Sequence, residues 1–236
     1  MATKRYSRAK LTPTPNQTFE IVGGDSRYNF IRSLRESLEL QNAGRIQEAC
    51  QARLDAVQLI EELLPEDEEI NLEWEHSNSR AALEIIHSSA VDHFLIGDYE
   101  LSAAMLELAL DLDPEDHLEA VNLLGFNYIK LGEYELFDEI VNDISDKSAC
   151  RQIMMLWYHY RRTQKIDAGT VQHLKRSFKS YYEEFTSEEH PSDDNYLKDI
   201  ESQSPSQSAQ ARELWLKTES LWADEPQFIT LLKESK

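Results

Sequence analysis

The sequence predicts an all-α chain built as an array of antiparallel helix hairpins. Three observations carry that expectation. Apolar residues recur at three- and four-residue steps, as in Ile31, Leu34, Leu38 and again in Ile46, Ala49, Leu54, Val57, Ile60, Leu64. Strand signals are almost absent, with no Asn-Gly or Asp-Gly hairpin turn. Three short turns, Gly44-Arg45-Ile46, Gly97-Asp98-Tyr99 and Gly132-Glu133-Tyr134, each stand between two amphipathic segments.

Taken in order, residues 1–27 read as a flexible N-terminal arm, polar and carrying Pro13, Pro15 and Gly23-Gly24. A helical pattern starts at Tyr28 and a second ends at Pro65. The stretch from Glu61 to Glu75 holds eight acids, and 66–78 reads either as a loop or as the start of a long helix. In both cases Ser77 to Ser79 can cap the helix that follows. Helices are then expected at about 80–96, 99–112, 117–131, 134–144, 147–164 and 169–186, which places the repeat domain at 28–186. Residues 187–208, acidic and rich in Ser and Gln, read as a linker with one helical turn near Tyr196 to Ile200. Two capping helices close the chain over 209–236.

Each repeated turn has a physical reason. A glycine can take the left-handed conformation that closes a helix. The residue two further on is apolar or aromatic and suits the wedge between helices. Small residues follow at matched offsets, Ala49 and Ala56 after Gly44, Ser102 and Ala109 after Gly97, and let two helices approach closely. Gly97 and Gly132 lie 35 positions apart.

This spacing resembles the tetratricopeptide repeat family, whose helix–turn–helix unit runs about 34 residues. Gly97, Tyr99, Ser102, Leu106, Ala109 and Pro114 match the second half of a unit. Leu124-Gly125 and Tyr128, then Gly132 and Tyr134, match the first half of the next. The match is closest over 83–145. The resemblance implies a right-handed superhelical array with C-terminal capping helices. It also implies a concave groove lined by the first helix of each unit. The matching positions are Glu84, His87, Val91 and Phe94, then Glu119, Asn122, Phe126, Ile129 and Lys130, with Leu34 and Leu38 as weaker matches. Glu84 and Glu119 would repel a C-terminal carboxylate. An amphipathic helix or an apolar, basic segment suits the groove better, unless the chain's own termini fill it.

Composition narrows the function classes. Twenty-four Lys and Arg against 44 Asp and Glu give a formal charge of -20. That balance opposes general binding to nucleic acid or to anionic membranes. No apolar run is long enough to span a membrane or to form a secretory signal. Two distant cysteines, Cys50 and Cys150, suit a reducing compartment as small buried thiols, so the expected location is cytoplasmic.

Catalytic and metal signatures are missing from the sequence. The seven glycines are all assigned to turns, the arm or a helix contact, and form no phosphate-binding loop. The histidines show no HExxH or Cys/His spacing, so no metal site and no cofactor are expected. The run from Asp111 to Asn122 fails as a calcium loop, because Asp116 stands where glycine is required. Its acids are read instead as favourably placed at a helix N-terminus.

One segment is set apart by its charge. Residues 150–182 hold seven Arg and Lys against one Asp, interleaved with aromatics. Arg161, Arg162, Lys165, Lys175, Arg176 and Lys179 are the candidate basic patch. Internal pairing with nearby acids is the preferred account, and contact with nucleic acid the alternative. Ala211, Leu214, Trp215, Thr218, Leu221 and Trp222 share a helix face that suits a cap on the last repeat. The expected function is therefore non-catalytic, a protein–protein interaction adaptor or scaffold. The alternative is a nucleic-acid-associated or transcription-linked regulator using 150–182.

Overall fold

The computed structural model describes residues 7–235, so the first six residues of the expected arm lie outside the described residues. Among the described residues the fold is all-α apart from one two-stranded hairpin. The chain divides into two compact units, the boundary falling after Asn127.

The first unit opens with β1 (Lys10–Pro13) and β2 (Phe19–Val22), paired antiparallel with Leu11 opposite Ile21. Here the expectation of a flexible arm fails for the described residues. Ile21 is fully buried, and its backbone N–H donates to Ser79 Oγ at 3.0 Å. The Asn78 side chain ties three pieces together, donating to the carbonyls of Ile21 (3.1 Å) and Tyr28 (3.0 Å) and accepting from Phe30 N (2.8 Å). Four-residue strands are too short to announce themselves by alternation. The side chains that hold Ile21 of β2 in place, Asn78 and Ser79, lie more than fifty positions away.

Helices α1 (Phe30–Asn42) and α2 (Ile46–Glu61) form one hairpin, α3 (Ser77–Leu95) and α4 (Tyr99–Leu112) the next. α1 packs on both α2 and α3. Gly44 and Gly97 close α1 and α3 at φ 75° and 84°, in the left-handed region a side chain would strain. Ala49, Ala56, Ser102 and Ala109 are all buried, as the close approach of paired helices requires. The residue two after glycine behaves differently in the two hairpins. Tyr99 packs edge-on to Phe94, ring centres 5.3 Å apart, whereas Ile46 is 52% exposed.

Residues 66–76 are loop, and helix begins at Ser77, capped by the His76 ring rather than by a serine. Leu72 bridges Phe19 of β2 and donates its N–H to Leu112 O at 2.7 Å. Asp116 is left-handed at φ 51° and accepts from Ala120 N at 2.6 Å, at the start of α5 (Ala120–Leu131). The acids of that junction thus serve the following helix.

The second unit contains α6 (Tyr134–Ile140), α7 (Ala149–Thr163), α8 (Ala168–Ser177), α9 (Lys179–Phe185), α10 (Asp194–Ile200), α11 (Gln207–Asp224) and α12 (Pro226–Glu234). Gly132 precedes α6 with φ 82°. The single helix expected at 169–186 is two, because Phe178 turns out of helical geometry at φ -133°. The linker contains α10, and its start is fixed in place. Buried Glu184 accepts from the Arg212 guanidinium on both oxygens and meets His190 Nδ1 at 2.7 Å. Arg212 also donates to Pro191 O at 2.6 Å, and His190 stacks on Trp215 at 3.9 Å. Trp157, Trp222, Phe185 and Phe228 make the aromatic core, Trp157 meeting Trp222 edge-on at 5.3 Å. α11 and α12 therefore pack by their apolar faces inside this unit.

Candidate functional site

The expected groove positions separate into two groups. Phe94, Phe126 and Ile129 are buried, with exposures of at most 1%, and cannot touch a partner. That corrects their assignment as groove residues: helical periodicity finds an apolar face but not which neighbour covers it. Glu84, His87, Val91, Asn122 and Lys130 are half-buried, and Glu119 is exposed. Lys130 is already engaged, its ammonium 2.6 Å from Asp224 Oδ2.

Large apolar side chains are exposed around the helix turns, at Ile46, Leu95, Ile96 and Leu101, and on α1. Ile31 is 48% and Leu38 46% exposed, two helical turns apart, with half-buried Leu34 between them. α1 buries the adjoining face through Phe30 and Ser37, so the stripe lies at the edge of the packed surface. The ion pairs Arg32–Glu36 (2.6 Å) and Arg35–Glu39 (3.7 Å) flank the stripe. Because α1 packs on α3, the stripe belongs to the same unit as half-buried Glu84, His87 and Val91.

The basic patch is largely consumed internally. Arg161 donates to Glu225 and, at 3.2 Å, to Lys130 O. Arg162 donates to Tyr158 Oη at 2.5 Å and lies over the rings of Tyr134 and Tyr158. Tyr158 in turn donates to Asp138 at 2.8 Å. Lys175 donates to Ser235 O and caps the Tyr182 ring, and Lys179 pairs with Glu183 at 3.3 Å. Lys165 and Arg176 are exposed. Scattered cations already held by carboxylates and carbonyls give little to a phosphate backbone.

Two features escaped the sequence reading. Arg53 is buried, bound to Asp92 of α3 and to Gln41 of α1. The signal was its place between Ala49 and Ala56, where a charged residue interrupts an otherwise small and apolar stripe. Beside it Cys50 is half-buried rather than buried. Burial, and then the Asp92 carboxylate, raise its thiol above the ordinary cysteine value.

The second is a cleft of about 790 Å³ between the acidic loop and the end of α4. Leu64, Ile70, Leu108, Leu110 and Leu112 supply apolar wall, and Glu66, Asp67, Glu68, Glu69 and Asp111 supply carboxylates. The loop is held in shape by the Leu72–Leu112 hydrogen bond and by Trp74, which stacks on His117 at 4.5 Å and nearly parallel. Among the described residues no three His, Cys, Asp or Glu side chains converge as a metal-holding group, and no helix is long and apolar enough to cross a membrane. Compared with family models, curated proteins and solved structures, the chain matches none.

Proposed function

We propose that the chain is a non-catalytic adaptor that holds a helix or peptide of a partner protein on the face formed by α1 and α3. One observation carries the reading: Ile31 and Leu38 are each left nearly half exposed on a well-packed helix. Isolated apolar residues are ordinary on a surface, but an aligned pair over two turns offers anchors for an amphipathic segment. Val91 and His87 on α3, the helix that α1 packs against, are half-buried and are taken to extend that surface, and Glu84, 3.8 Å from Arg80, is a carboxylate one turn before His87 on the same helix. The right-handed superhelical arrangement of tetratricopeptide-like hairpins belongs to the same proposal. Its support is the repeated glycine turn and the buried small residues that follow it. A cytoplasmic location is also part of it, resting on two widely separated cysteines.

The test is a pull-down from native extract with the intact protein, an Ile31→Asp/Leu38→Asp variant and a Leu197→Asp control, all with matching circular dichroism and melting curves. Leu197 is 43% exposed in the second unit, so the control makes the same kind of change elsewhere. A protein retained by the intact chain and the control, and lost with the double variant, is the expected result. Equal recovery with all three overturns the proposal.

A further inference from the structure

We infer that the cleft between the acidic loop and α4 is a second docking site, which takes a cationic segment of another protein carrying leucine-sized side chains. It goes beyond the α1/α3 face and does not depend on it. Five carboxylates, Glu66, Asp67, Glu68, Glu69 and Asp111, line the cleft without a lysine or arginine among the lining residues. All five are exposed to solvent. A run of exposed acids alone is a solvated surface. Here it borders an open cleft into which half-exposed Leu64, Leu108 and Leu110 also bring apolar surface, over buried Ile70 and Leu112.

Chemistry selects the occupant. A small cation is disfavoured, because the acids do not converge as a metal-holding group. An acidic or neutral apolar segment would leave like charges facing each other or five carboxylates partly desolvated. A cationic amphipathic segment satisfies both parts of the lining: its leucines enter the cavity while its ammonium or guanidinium groups meet the rim. The cleft is also pre-shaped. The Leu72 N–H to Leu112 O bond and the Trp74–His117 stack hold the loop against the end of α4, which lowers the ordering cost of binding.

The probe is a fluorescein-labelled amphipathic peptide of alternating Lys and Leu pairs, titrated with the full chain and read by anisotropy. A poly-lysine peptide of equal charge measures attraction to the acidic protein as a whole. Expected is binding of the amphipathic probe at least about tenfold tighter than poly-lysine. Glu66→Lys/Glu69→Lys should weaken the amphipathic probe by about tenfold or more, against a smaller loss for Glu201→Lys/Glu219→Lys, which changes net charge equally on the second unit. Leu108→Gln should weaken the amphipathic probe but not poly-lysine. Equal binding of the two peptides, equal loss with both charge reversals, or no binding overturns the inference. Loss only with Ile31→Asp/Leu38→Asp also overturns it, while leaving the α1/α3 proposal standing; an unaffected probe in that variant separates the two sites.

Discussion

Arg53 and Asp92 form a two-pronged ion pair in which one guanidinium nitrogen lies 2.7 Å from both carboxylate oxygens. The Arg53 side chain is 4% exposed and Asp92 14%. Gln41 and Ser37 of α1 engage the same guanidinium, so one side chain fastens three helices. Removing only one member leaves a buried charge. Arg53→Ala should lower unfolding stability by about 3–5 kcal/mol in urea titrations. Arg53→Met/Asp92→Leu should lose less than Arg53→Ala, because no unpaired charge remains. A double variant worse than the single contradicts this account.

The hairpin at the start of the chain is structural, and one substitution measures how much. Ile21→Ala should destabilise the protein by about 2–5 kcal/mol, the range for truncating a fully buried isoleucine. A flexible arm would show no change in the denaturation midpoint.

Two glycines predict an ordering. Gly97 has φ 84° with no close neighbour beyond the Tyr99 ring at 3.9 Å, so Gly97→Ala should cost about 1 kcal/mol through backbone strain alone. At Gly24, φ is 83° and an added Cβ would stand 2.8 Å from Ala9 N. Gly24→Ala adds a clash with backbone to the same strain and should cost about 2–4 kcal/mol. Thermal melts of the two variants, run together, check the order.

The Cys50 thiol is raised by burial and then by Asp92. In a Cys150→Ser background, iodoacetamide should alkylate native Cys50 more slowly at pH 8 than the same residue in denaturant. The rate should rise with a midpoint above about 8.5, the ordinary cysteine value. Because the folded thiol is raised, the stability linked to it is present below the ordinary value. It is lost as pH climbs through the raised one. Asp92→Asn should move that midpoint down.

Helix positions were largely legible in the sequence because the cues are local. The segment at 99–112 coincides with α4, from a capping aspartate at Asp98 to the residue before Pro114. Gly44, Gly97 and Gly132 take the left-handed conformation their turns require. Long-range relations were not legible. β2 is held by its pairing with β1 and by contacts with Asn71, Leu72 and Ser79 far along the chain. Phe94 and Leu38 occupy comparable apolar positions on their helices, yet one is buried and the other half exposed, since coverage depends on packing. The basic run at 150–182 looked distinctive along the chain. Its partners Glu225 and Asp138 lie outside it, so its neutralisation emerges only in three dimensions.

The central claim is that α1 and α3 together receive a partner, and site-specific photo-crosslinking addresses it directly. A benzophenone amino acid is placed in turn at Leu38, at Val91 and, as control, at Leu197, and adducts formed in living cells are identified by mass spectrometry. The account predicts the same protein, through the same segment, at Leu38 and Val91 and not at Leu197. No adduct at either α-helical face position, or identical adducts at all three, would contradict it.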